Sequence, residues 1–130
     1  MRTVLLDTHV VHWWSAEPQR VSAAARKALD QAEELAVAAV SWYELAWMAE
    51  NERIVVNIPI RSWLEGLAAQ LRTIPISPAI AAAAAALPSS FPGDPADRLI
   101  YATAVEHDLR LVSKDRAIRG HAHPRTVALW

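Results

Sequence analysis

Apolar residues follow two different periods along this chain. Continuous apolar runs at residues 4–6 and 35–40 are closed by polar residues, and residues 109–112 form a further short strand interrupted by Arg110. Such runs suit strands covered on both faces. Between them, apolar residues recur every three or four positions, the period of a helix with one buried stripe. Residues 9–14 begin a helix or turn that Glu17-Pro18 breaks. Ser22 is suited to cap a helix over residues 23–34, which is rich in strong helix formers. Ser41 is suited to cap a second helix, running to Arg53. Trp63, Leu64, Leu67, Ala68 and Leu71 mark a third over residues 60–71, and residues 73–76 are extended. Ser77-Pro78 opens an alanine-rich helix that Pro88 closes. Residues 88–93 are a long loop, Asp94-Pro95 starts a helix to His107, and residues 127–129 close the chain as a strand. Strands alternating with helices place the chain in the α/β class, with a mainly parallel sheet flanked by helices.

The length of 130 residues fits one domain over residues 1–130, large enough for a core without covalent staples. A hydrophobic content of 53% with 21% charged residues fits a globule rather than a disordered chain. Cysteine is absent, which removes disulfides and thiolate metal sites. The expected location is cytoplasmic. Arg2-Thr3-Val4 leaves no room for a signal peptide, and no apolar stretch approaches the ~18 residues of a membrane span. Thirteen basic and 14 acidic side chains leave a net charge of −1, too balanced to coat nucleic acid by charge alone. From Arg98 onward, however, Arg98, Arg110, Lys114, Arg116, Arg119 and Arg125 outnumber Glu106, Asp108 and Asp115. They form either an ordinary solvated surface or a basic rim suited to a polyanion.

Four acids stand where a strand or loop hands over to the next element: Asp7, Glu44, Asp97 and Asp115. If the strands are parallel neighbours, these acids converge at the carboxyl edge of the sheet, where ligands bind in open α/β folds. Carboxylates packed together repel one another. A hard divalent cation with oxygen ligands, Mg²⁺ or Mn²⁺, relieves that repulsion. Each acid also has a local explanation. Ser41-Trp42-Tyr43-Glu44 matches a capping box, and Asp94-Pro95-Ala96-Asp97 places two acids at a positive helix end. Asp7 suits a cap for the following helix, and Asp115 suits a turn. Capping alone does not account for an Asp ending one apolar strand at Asp7 and another following the strand before Asp115.

Other chemistries lack their residues. Three glycines, Gly66, Gly93 and Gly120, build no phosphate-cradling loop. Asp7-Thr8-His9 lacks the second Asp of a phosphoaspartate phosphatase, and there is neither a His-Glu-x-x-His nor a Gly-x-Ser-x-Gly segment. His121-x-His123 reads as a surface loop ahead of a zinc site.

The segments Val4-Leu5-Leu6-Asp7-Thr8-His9, Ser41-x-x-Glu44, Asp94-Pro95-Ala96-Asp97-Arg98-Leu99-Ile100-x-Ala102 and Leu111-Val112-Ser113-Lys114-Asp115, in that order, resemble the PIN-domain ribonucleases. More narrowly they resemble the VapC toxins of bacterial toxin–antitoxin modules, including mycobacterial ones. The resemblance implies a PIN-like three-layer fold whose quartet Asp7, Glu44, Asp97 and Asp115 holds Mg²⁺ or Mn²⁺. Asp94 matches less well, as a further ligand, a group behind the ligands, or only an N-cap. Thr8 and Ser113 match small hydroxyl residues that orient carboxylates or water. The implied activity is metal-dependent endonucleolytic cleavage of RNA, a transfer RNA loop or other structured RNA, leaving a 5′-phosphate and a 3′-hydroxyl. The implied partners are a cognate antitoxin, the RNA substrate and a second copy of the chain; no membrane is implied. The competing reading is a non-catalytic RNA- or protein-binding module whose acids merely cap helices.

Six tryptophans are many for this length, and core or partner contact explains them ahead of stacking on RNA bases. Trp42, Leu45, Trp47, Met48 and Ala49 give their helix more apolar surface than one stripe needs. Trp13 and Trp14, adjacent on a short helix, are expected on different sides and not both in one core. A groove between these elements is expected to take an amphipathic antitoxin helix or extended tail.

Overall fold

The apolar run Val4-Leu5-Leu6 forms the middle strand of the sheet, so the residue after it is presented at the sheet's centre. A computed structural model describes residues 2–121 and 127–130. In it, β1 (Thr3–Leu6) is followed by α1 (Thr8–Ala16), a turn of 3₁₀ helix at Pro18–Arg20, α2 (Ala23–Gln31) and β2 (Glu34–Ala38). Next come α3 (Ala39–Glu50), α4 (Ile60–Ala68), β3 (Arg72–Ile74), α5 (Pro78–Ala86) and α6 (Pro95–Glu106). β4 (Arg110–Val112), α7 (Arg116–Arg119) and β5 (Ala128–Leu129) complete the described elements. The strands lie in the order β3-β2-β1-β4-β5, and every pair is parallel.

Alternation along the strands sends side chains to two cores. Leu5, Ala36, Ala38 and Leu111 face one side, where Ile80 and Ala84 of α5 and Ile100 and Tyr101 of α6 cover them. Val4, Leu6, Val37 and Val112 face the other, beneath Val10, Val11 and Trp13 of α1, Ala25 and Leu29 of α2 and Leu45 of α3. Because both faces are covered, residues 4–6 of β1 and 35–38 of β2 read as unbroken apolar runs. Leu5 and Leu6 have no exposed surface, and burying such a side chain contributes about 1.5–3 kcal/mol.

Several boundaries differ from those read in the sequence. β2 ends at Ala38 and α3 begins at Ala39, so Ser41 lies inside the helix and caps nothing. The Ser41-x-x-Glu44 capping box therefore does not form. Its serine is fully buried with Oγ 2.9 Å from Thr8 Oγ1, a tertiary contact that outweighs the local motif. α2 ends at Gln31 because Glu34 is already paired with Thr3 in the sheet. α4 stops at Ala68, although Leu71 remains buried. Asp115 does not merely turn the chain; it begins the short helix α7. Trp13 and Trp14 pack on the same core, Trp13 within it and Trp14 half-buried against it: Trp130 and Arg20 lie against Trp13, and Trp14 shares a pocket with Pro18, Val21 and Leu29.

Candidate active site

Parallel registry brings the carboxyl ends of three strands together. Leu6 is level with Val37 of β2 and with Val112 of β4, so Asp7, the start of α3 and Ser113 share one edge of the sheet. There a cavity of about 610 Å³ is walled by Asp7, Thr8, Glu44, Asp94, Asp97 and Asp115. These are five of the acids marked in the sequence, together with one of the two hydroxyl residues. Ser113, fully buried, stands behind the wall.

Asp7 is the most constrained of the five, with 8% of its surface exposed. Its Oδ1 accepts the backbone N–H of Thr8 at 2.8 Å, capping α1. Its Oδ2 accepts the Ser113 hydroxyl proton at 2.7 Å. Burial raises its pKa, and these two hydrogen bonds only partly oppose that. Glu44 projects from α3 and accepts the Thr8 hydroxyl. With one proton to give, Thr8 serves the carboxylate, and Ser41 Oγ at 2.9 Å supports Thr8 from behind. The Glu44 pKa is raised by burial first and then by Asp7 and Asp94.

Asp94 and Asp115 do cap helices. Asp94 Oδ1 accepts from the N–H groups of Ala96 and Asp97 at 2.8 and 3.3 Å. Asp115 Oδ1 accepts from Ala117 and Ile118 at 2.9 and 3.2 Å. Capping occupies one oxygen of each and leaves Oδ2 uncommitted among the described residues. Asp97 differs: its carboxylate has no hydrogen-bond donor among the described residues. Burial, followed by Asp7, Asp94, Glu44 and Asp115, pushes its pKa up to about 7. A carboxyl raised by burial and by like charges, standing in a cleft, is a candidate functional group.

The donor set is all oxygen, as Mg²⁺ and Mn²⁺ require. Among the described residues, no three acidic or histidine side chains already stand together as a ready ion cluster. What converges is the cavity wall.

The basic residues are arranged differently from the expected rim. Arg98 faces inward, and its guanidinium donates to the carbonyls of Ala84, Leu87, Pro88, Phe91 and Pro92 at 3.0–3.4 Å. It ties the end of α5 and the following loop to α6. Arg110 lies at the opposite end of β4, beside Arg2 and Lys27. Arg119 donates to the Lys114 carbonyl at 3.3 Å. His123 and Arg125 lie outside the described residues; His121 packs edge-on against Phe91 and Tyr101. Of the described residues counted towards a possible basic rim, only Lys114 lines the acidic cavity. His9, Trp13 and Arg20 line it too, and sequence reasoning had not placed them there. The signal was present: a helix starting at Thr8 puts His9 and Trp13, four residues apart, on one face.

A second groove of about 580 Å³ adjoins the first. It runs between α1 and the end of α3, lined by His12, Ala16, Met48, Arg53, Ile54 and Val55 among others. It lies between the two helices expected to frame a groove, but of the residues named for it only Trp13 and Met48 line it. Trp47 does not line the groove; it is 44% exposed and carries Arg53, which does, over its ring. Trp42, in contrast, is tied down, donating from Nε1 to Thr73 Oγ1 at 3.0 Å. No helix among the described residues is long and apolar enough to cross a membrane.

The PIN domain family matches residues 4–124 of the chain. Ribonuclease VapC22 of Mycobacterium tuberculosis is 66% identical over 130 residues, covering 100% of both chains. A toxin–antitoxin complex from Klebsiella pneumoniae has a chain that superposes with a TM-score of 0.71 at 22% identity, over 98% of this chain and 96% of that one. VapBC2 from Rickettsia felis, bound to a DNA fragment from its promoter, superposes at 0.63 and 16% identity, over 87% of each chain. These two likenesses bear on the fold, which is the PIN-like parallel sheet expected from the sequence. On the family match and the full-length identity, the chain belongs to the PIN-domain family and, within it, to the VapC group.

Proposed function

We propose that this chain is a divalent-metal-dependent endoribonuclease and the toxin of a toxin–antitoxin pair. The observation that carries the reading is Asp97. A half-buried carboxylate without a hydrogen-bond donor, among four other acids, is costly to maintain, and its place in the first turn of α6 offsets only a small part of that cost. Helix capping accounts for one oxygen each of Asp7, Asp94 and Asp115. It does not account for Asp97 or for Glu44, whose capping box does not form. That weakens the competing reading of a non-catalytic binding module.

In this account Asp7, Glu44, Asp97 and Asp115 hold Mg²⁺ or Mn²⁺, and Asp94 steadies the group through Asp97. When bound, such an ion supplies charge neutralisation at the scissile phosphate and lowers the pKa of water. The chain's own residues do the rest. Thr8 and Ser113 fix the orientation of Glu44 and Asp7, as residues behind metal ligands commonly do. Without the ion, burial and the neighbouring carboxylates raise the pKa values of Asp7, Glu44 and Asp97, that of Asp97 to about 7, so ion binding, which needs the ionised carboxylates, would release protons. Products would carry a 5′-phosphate and a 3′-hydroxyl, and structured RNA such as transfer RNA is the preferred substrate.

VapC22 is by name a ribonuclease, and the Klebsiella and Rickettsia neighbours come from complexes of toxin with antitoxin or of VapB with VapC. By analogy a cognate antitoxin restrains this chain, its tail seated in the groove between α1 and α3, and the toxin pairs with a second copy. The test is incubation of purified protein with total RNA in Mg²⁺ or Mn²⁺ and in excess EDTA. Cleavage is expected only with the ion; cleavage that survives chelation contradicts the metal mechanism.

A further inference from the structure

Five carboxylates around one cavity repel the polyanion they are proposed to cut, so cations must offset them at the rim. Two cations line that rim, Arg20 and Lys114, and both side chains are exposed. They come from opposite ends of the sequence and meet at one side chain. The Arg20 guanidinium carbon lies 4.9 Å from the centroid of Trp13, and Lys114 Nζ lies 5.6 Å from the same ring. Trp13 is itself buried and braced by the edge of Trp130 at 5.7 Å.

A cation resting on an indole face is held in place without committing its N–H groups. Arg20 has one ion pair among the described residues, to Glu17 at 3.8 Å, and Glu17 also meets His12 Nε2 at 3.0 Å. Lys114 has no ion pair among them. Both head groups therefore keep donors free for a ligand, which the fold-bound Arg98 does not. From Arg20 the cavity continues into the second groove, where Arg53 lies 5.4 Å from the ring centroid of Trp47. The cation-on-indole arrangement is thus repeated along one path leading away from the acids.

We propose that Arg20 and Lys114, held by Trp13, bind the phosphates on either side of the scissile one, and that the strand leaves along the groove past Arg53. The proposal rests on the ribonuclease reading and adds positioning residues to it. It makes the antitoxin and RNA competitors for the groove.

The test compares wild type, Arg20→Gln, Lys114→Gln and Arg20→Lys. Two readouts are used: cleavage of total RNA with Mg²⁺, and binding of fluorescein-labelled bulk transfer RNA in the inactive Asp97→Asn background at several salt concentrations. Each Gln variant is expected to bind about tenfold more weakly, as for the loss of a charge-assisted hydrogen bond. The slope of log affinity against log salt should fall by about one per charge removed. Cleavage at saturating RNA should stay within about twofold of wild type, since phosphate positioning is uniform binding, and Arg20→Lys should recover most of the slope. Unchanged affinity and slope in variants of a cleaving wild type overturn the proposal and spare the ribonuclease reading. So does a loss of cleavage at saturation without a loss of affinity. A wild type that cleaves no RNA overturns both.

Discussion

Ser113 donates its hydroxyl proton to Asp7 Oδ2 at 2.7 Å across 106 positions of sequence. The bond joins the ends of β4 and β1 and fixes the carboxylate that faces the cavity. Ser113→Ala should leave that oxygen without a donor and raise the Asp7 pKa further. Mn²⁺ affinity and RNA cleavage are each expected to fall at least about tenfold, the lower end for residues behind metal ligands. Calorimetric titration and single-turnover cleavage measure the two effects. Unchanged values would show that the bond serves the fold only.

The acids make the ion-free protein sensitive to pH in a definite direction. Asp97 titrates at about 7 when folded, against an ordinary value of 3.8. The folded state therefore holds a proton that the unfolded chain releases, and stability falls as pH rises across that window. Asp7 and Glu44 are shifted in the same sense. In EDTA, Tm is expected to drop between about pH 5 and about pH 8, and Asp97→Asn should flatten the drop. A Tm that rises over this range contradicts the burial and repulsion assigned to these groups.

Asp94 separates capping from catalysis. Its Oδ1 accepts two backbone N–H groups at the start of α6, and Ser caps nearly as well as Asp. If Asp94 also steadies the ion site, Asp94→Ser should keep the Tm within a few degrees while lowering cleavage at least about tenfold. Full activity in Asp94→Ser would confine Asp94 to its cap.

Arg98 is expected to behave as a structural residue despite its charge. Arg98→Met abandons five carbonyl contacts. It should cost on the order of 3 kcal/mol of stability by urea denaturation, by leaving part-buried acceptors unpaired. The salt dependence of RNA binding should not change. A reduced salt slope in this variant would return Arg98 to the RNA-facing surface.

These contrasts mark what the chain discloses locally. Asp7 was legible because an acid closing an unbroken apolar strand has no cheap local explanation, and Asp97 because it sits beside a strong helix start. The sheet's centre was legible because β1 and β2 are covered on both faces and so read as continuous apolar runs. Ser41 misled, since its capping pattern is local whereas its buried contact with Thr8 is set by tertiary packing. Arg98 misled for the same reason: a charge count cannot distinguish a guanidinium turned inward onto carbonyls from one facing solvent. Arg20 was passed over because nothing near it in sequence shows that the 3₁₀ turn carries it onto Trp13 beside the acids.

Acids from four separate segments are proposed to form one ion site, with Asp97 in it. Direct titration of Mn²⁺ into the purified protein, followed by electron paramagnetic resonance of the free ion, tests this without requiring a known substrate. Wild type is predicted to remove Mn²⁺ from solution with saturable stoichiometry, and Asp97→Asn to lose that binding while remaining folded. A wild type that binds no Mn²⁺, or an Asp97→Asn variant that binds it equally well, contradicts the account.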